Sequence, residues 1–254
     1  MYSIIKERFL NYIDLPLSSE QKNILDELKL KHTSRVAEIS EILAESVFGN
    51  DGAEYIELAK IIAVLHDIGR WGQFLEHNGF TDTKSDHGET GADIILQKDI
   101  LNGLKESSKQ VVLTAVREHN KKYAHIYDDF TQIFVNIVRD ADRMDNLYIE
   151  VENYSSRDDS MKNILPFSDE HRLSPRIYES IMDGTLVDAK DRETKIDFKF
   201  CKMAWCYDIK TGKGIELIIK HKYLENIYSD IDNPDETMQA AYSKIRQYLD
   251  KFKI

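Results

Sequence analysis

Cysteine is scarce in this chain of 254 residues, which holds only Cys201 and Cys206. Two thiols cannot build a disulfide framework, and their C-x4-C spacing suits neither a redox pair nor a usual zinc knuckle. Both read as packed thiols of a reducing compartment, so the cytoplasm is the expected location. Proline and glycine are also sparse, at 4 and 11 residues, leaving few positions that break a helix. No apolar run approaches the roughly 18 residues that span a bilayer. The N-terminal "MYSIIKERFLNYIDL" is interrupted by Lys6, Glu7 and Arg8, which denies it a signal-peptide core. Basic charge is short too. A formal net charge of −11 argues against an extended duplex nucleic-acid surface, which needs Lys and Arg to neutralise phosphates. A small anionic substrate remains open where cations gather locally. No sequence signal speaks to oligomeric state.

What the chain does have is helical periodicity. Hydrophobic residues make up 42% and charged residues 31%, ordinary for a globular protein. Apolar positions recur with a period near 3.6 rather than 2, which predicts an all-α fold. Helices are expected near 3–13, 19–48, 52–67, 71–76, 87–100, 106–119, 129–150, 171–183, 194–206 and 235–252. The stretch 185–222 is ambiguous, because "KIDFKFCKMAWCYDI" carries the β-branched and aromatic content of a strand as well. With no repeat or flexible linker, residues 1–254 read as a single domain. Its core spans about 20–150, and a mainly helical extension about 170–254 follows a loop at 155–170.

Several polar residues lie on the wrong faces of these helices. Leu25, Leu28, His32, Val36, Ile39 and Leu43 follow spacings of 3, 4, 4, 3 and 4, one helical stripe with a histidine inside it. Ala59, Ala63 and His66 form a second stripe, with Asp67 one step round and Gly69 placed to end the helix. Val112, Ala115 and His119 form a third. In "TQIFVNIVRDADRMDNL", Phe134 and Val138 lead at i+4 steps to Asp142, while Asp140 follows Asn136 on a more polar face. Any one of these reads as an ordinary core residue with a hydrogen-bond partner. Together, imidazoles and carboxylates converging in one interior need a balancing cation, and a divalent metal takes these residue types as ligands.

The ordered set His32 in "HTSRVAEISEIL", adjacent His66-Asp67 in "AVLHDIGR" and Asp142 in "RDADRMDNL" resembles the HD superfamily of metal-dependent phosphohydrolases. The resemblance covers roughly residues 20–150 and implies an HD-domain helical bundle. "DHGETGADII" with His87 and "AVREHN" with His119 are similar to the two extra histidine motifs of binuclear HD enzymes. His-Gly-x-x-Gly-Ala strings also occur in HD-type dinucleotide polyphosphate hydrolases. By that resemblance His32, His66, Asp67 and Asp142 hold one metal, and Asp67 bridges to a second bound by His87 and His119. The chain departs from named subfamilies. No acid follows Asp67 until Glu76, unlike the alarmone hydrolases and mononuclear nucleotidases, and no Gly-Tyr-Pro motif is present.

The implied chemistry is hydrolysis of a phosphate ester or anhydride, nucleotide-like, by hydroxide activated on one or two divalent transition metals (Fe, Mn, Co, Ni or Zn). Asp67 and Arg70 are the expected catalytic residues, since HDIG-type enzymes often carry a cation after the glycine. Arg35, Arg70, Lys84 and Lys121 are the expected substrate cations, with Arg117, Lys122 and Arg143 nearby. His77, Tyr123, His125 and Tyr127 read more simply as loop and packing residues, and Trp205, Tyr207 and His221 carry no assignable chemistry. Two alternatives stand beside this one: an HD-type di-iron oxygenase, and a non-catalytic nucleotide-binding HD domain.

Overall fold

Low proline and a 3.6-residue apolar period give helices throughout. The computed structural model describes residues 1–254 apart from 16, 50, 78, 79, 81, 83, 124–127, 156–166, 253 and 254. The described residues contain helices and turns, with one isolated parallel bridge, Ser168 to Thr194, and no named strand. Among them, no helix is long and apolar enough to cross a membrane.

Two compact units organise the chain, Met1–Asp145 and Asn146–Ile254. The first contains α1 (Tyr2–Ile13), α2 (Ser19–Leu25), α3 (Lys31–Phe48), α4 (Ala53–Leu65), α5 (Gly69–His77), α6 (His87–Gln97), α7 (Glu106–Glu118) and most of α8 (Asp129–Ser155). Between α2 and α3 the chain stays helical through a π turn, Asp26–Leu30. The expected helix over 19–48 is therefore continuous but underwound by that turn, which shifts its phase. Leu28 and Ile39 are only half-buried, while His32, Val36 and Leu43 are buried.

α3 and α4 pack along each other, α4 also meets α1 and α7, and α6 lies against α5 and α7. Leu43, Ile61, Ile62, Leu65, Val112 and Phe134 are buried in this core. Two glycines set how closely its helices approach. Gly69 does not end a helix, as expected from its position; α4 already stops at Leu65, and Gly69 opens α5 without a positive φ. A Cβ on Gly69 would stand 2.3 Å from the His87 carbonyl oxygen, and one on Gly88 would stand 2.8 Å from that of Arg117. The missing side chains let the start of α6 lie against both the His-Asp turn and the end of α7.

The second unit holds α9 (Pro175–Met182), α10 (Lys195–Met203), α11 (Gly212–His221), α12 (Tyr223–Ser229) and α13 (Glu236–Leu249). The strand reading of "KIDFKFCKMAWCYDI" does not hold: α10 and a 3₁₀ turn, Ala204–Asp208, occupy it. A capping box explains this choice. Thr194 and Asp197 satisfy each other's backbone N–H groups at the helix start. The buried Asp197 carboxylate also accepts from Ser174 N and Oγ at 2.8 and 2.6 Å. α11 and α12 went unread in the sequence, and the loop expected at 155–170 falls mostly outside the described residues.

Candidate metal centre

α4 ends in an apolar run, and the turn 66–68 that follows it carries His66 and Asp67 into the first unit's interior. α3 supplies His32, the start of α6 supplies His87, and His119 closes α7. That last end is held in place by Arg139 on α8, whose guanidinium donates to the carbonyls of Glu118 at 2.9 Å and Lys121 at 2.5 Å. All four imidazoles and Asp67 are buried.

The donors fall into two groups that share Asp67. Within each of the sets His32, His66, Asp67 and Asp67, His87, His119, one ligand atom per residue lies within 4.8 Å of the others. Asp67 Oδ2 is 3.7 Å from Nε2 of both His32 and His66. Its Oδ1 is 3.2 Å from His87 Nε2 and 3.7 Å from His119 Nε2. Asp142 Oδ1 joins the first group, 3.2 Å from His32 Nε2 and 3.8 Å from His66 Nε2.

Every imidazole turns Nε2 inward because its Nδ1 is engaged outside the group. His32 Nδ1 meets Asp145 Oδ2 at 2.6 Å, and His87 Nδ1 meets Asp82 Oδ1 at 2.7 Å. His66 Nδ1 donates to the Ala63 carbonyl at 2.6 Å, and His119 Nδ1 to that of Val116 at 2.7 Å. Outer carboxylates and carbonyls orient metal-binding histidines in this way.

Charge at the site follows the same division. Burial opposes a proton on His32, but the Asp142 and Asp145 carboxylates outweigh it and hold the imidazole up at about 9. Burial drives His66 down to about 4. His87 is raised against its burial by Asp67 and Asp82. Burial also works against the Asp67 and Asp142 carboxylates. Lys29 and the imidazoles nonetheless hold Asp67 well below its usual range, and His32 does the same for Asp142. Without a metal, this site gathers its positive charge from protons and an ammonium. His32 Nε2 then faces His66 Nε2 at 3.3 Å, and His87 Nε2 faces His119 Nε2 at 2.9 Å. Two nitrogens this close suit a shared ion, since metal–nitrogen bonds run about 2.0–2.1 Å. The residues fit a divalent transition metal, for which imidazole with carboxylate is a suitable donor set.

The remaining sequence candidates divide. Asp142 enters the group, yet Asp140 is the more buried of the two, so its face is not the polar one expected. Asp142 keeps 24% of its side chain exposed, which a site open to solvent requires. Arg70 lies beside Asp67, with Nε 3.6 Å from Oδ1, but its fork is engaged by Asp82 at 3.1 and 3.3 Å. Arg35 is likewise committed, pairing with Asp145 at 2.5 and 3.0 Å behind His32. Lys121 pairs with Asp86, the N-cap of α6, and Arg117 with Glu89. Lys84 is exposed in the turn before α6, and Tyr123 is exposed beside Lys122. His125, Tyr127 and the side chain of His77 lie outside the described residues, while Trp205, Tyr207 and His221 belong to the second unit.

Three participants went unnoticed in the sequence. Asp145 stands one turn beyond Asp142, a spacing that could have revealed it. Asp82 sits in a short turn with no periodicity to read. Lys29 comes from the π turn and places Nζ 2.9 Å from Asp67 Oδ2.

Residues 30–147 match the model of the HD domain. The match covers a little under half of the chain and identifies this segment as an HD domain, as the resemblance implied. No curated protein and no solved structure matches the chain.

Proposed function

We propose that this HD domain is a metal-dependent phosphohydrolase acting on a small, nucleotide-like phosphate ester or anhydride. It holds one or two transition-metal ions with His32, His66, Asp67, His87, His119 and Asp142. The observation that carries this reading is the division of one carboxylate. Asp67 turns one oxygen to each of two imidazole pairs, the arrangement of a bridging ligand.

Divalent ions bound there supply Lewis acidity, a lowered pKa for water and a counter-charge for phosphate. The protein's own contribution is orientation. Asp145 and Asp82 each fix one imidazole, and the carbonyls of Ala63 and Val116 fix the others. Arg70 positions Asp82 through its fork and leaves Nε toward Asp67. Arg70 thus helps to orient His87 and adds positive potential beside Asp67.

Metal-stripped protein reloaded with Mn²⁺ or Fe²⁺ should release phosphate from members of a panel of nucleotide monoesters, diesters and anhydrides. Release should stop on chelation and in Asp67→Asn. Turnover that survives chelation would overturn the reading. Dioxygen uptake with a mixed-valent iron signal, in place of phosphate release, would assign the same donors to an oxygenase.

A further inference from the structure

The cations around the centre are not equivalent. Arg35, Arg70 and Lys121 each pair with a carboxylate outside the donor set, namely Asp145, Asp82 and Asp86, with Arg70 Nε a longer 3.6 Å from Asp67 Oδ1. Lys29 pairs with the donor set itself, through Asp67 Oδ2 at 2.9 Å. We propose that Lys29 is the residue that binds the substrate's phosphoryl oxygens at this site.

Placement comes first. Lys29 lies three residues before His32, in a π turn that continues directly into α3. Single π turns within helices are frequent at functional sites, because they re-aim side chains without ending the helix. The Lys29 side chain is 18% exposed, so it is largely enclosed without being sealed from solvent. The Phe80 ring also faces the ammonium at 5.0 Å, and Phe80 stacks in turn on Phe74. That cation–π contact is independent of Asp67 and keeps the head group close to the donors.

Electrostatics then separates two states of this lysine. In the metal-free protein its ammonium compensates the buried Asp67 carboxylate. With a divalent ion held by these donors, the carboxylate would be compensated without the ammonium, and like charges interact strongly away from bulk water, so Lys29 would be displaced from it. A flexible four-carbon stem with three rotatable donors can swing to a new acceptor. The anionic oxygens of a bound phosphate are that acceptor, and lysine serves phosphate as a point charge. Arg35 and Arg70 have their forks already occupied by carboxylates, so the same duty would cost them an existing pair.

This inference rests on the phosphohydrolase reading, and the test separates the two. Mn²⁺-loaded wild type, Lys29→Met and Lys29→Arg are titrated with inorganic phosphate by calorimetry, with bound metal counted in each sample. Methionine keeps the stem against Phe80 and removes the charge. Lys29→Met should bind phosphate about tenfold more weakly or worse, with metal content unchanged, and Lys29→Arg should recover part of the loss. KM for a hydrolysed ester should rise more than kcat falls. Unchanged phosphate affinity in metal-loaded Lys29→Met would overturn the role. A parallel loss of metal would also overturn it, making Lys29 a support of the donors instead. If loaded wild type binds no phosphate, the phosphohydrolase reading itself fails.

Discussion

On one side of Asp67, His32 and His66 face Oδ2; on the other, His87 and His119 face Oδ1. Each pair combines one imidazole backed by a carboxylate with one backed by a carbonyl. The resemblance stops there. The first pair has Asp142 as an additional oxygen donor, and its backing carboxylate, Asp145, is wholly buried and clamped by Arg35. The second pair is backed by Asp82, whose side chain is 40% exposed in a short turn. A site with more charged donors and a drier support binds a cation more tightly. On the proposed reading the first half would therefore be the tighter metal position, and the second the one whose loading decides between one metal and two.

Removing the shared ligand breaks both halves at once. Asp67→Asn should lose nearly all bound metal, counted by plasma emission, with the helical circular dichroism retained. Retention of one full equivalent would show that the halves do not depend on a common carboxylate. The supports sharpen the contrast at a smaller scale. Asp145→Asn should weaken the first ion by about 10–100-fold, the usual cost of losing an outer partner. Asp82→Asn should weaken the second ion by less, because part of its interaction is already screened by water. Chelator competition on the two variants measures both, and equal losses would erase the distinction drawn above.

The smallest effect concerns protons. His32 sits at about 9 in the folded, metal-free protein against an ordinary value of 6.5. A raised histidine stabilises fully below pH 6.5 and loses that contribution as pH climbs through 9. His87 is raised too and acts in the same sense. The Tm of the metal-free protein should fall across this range, at about 2–4 °C for each kcal/mol lost. The metal-loaded protein should show no matching fall, since its ligand histidines are already deprotonated. A pH-independent Tm for the metal-free form would contradict the charge assignment.

Much of the first unit was legible because its message is periodic. Stripes of 3.6 residues brought His32, His66 and His119 to the inner faces of their helices, and the Phe134–Val138 ladder pointed to Asp142. What escaped depends on distances the linear chain does not encode. Asp82 reaches His87 from the turn just before α6, five residues earlier, and no local pattern around Asp82 announces that. Lys29 was hidden by phase: reading through the π turn at 3.6 residues per turn assigns Leu28 to the core, where it is only half-buried. In the second unit, the strand-like "KIDFKF" becomes helix because Thr194 and Asp197 cap it, a short-range device that outweighs β-propensity.

Anomalous scattering from crystals of Mn²⁺-loaded protein locates the bound ions among these donors. Two peaks should flank the Asp67 carboxylate, the stronger among His32, His66 and Asp142 and the weaker beside His87 and His119. An absence of peaks at these side chains, or an ion bound without Asp67, would rule out a metal centre built around that carboxylate.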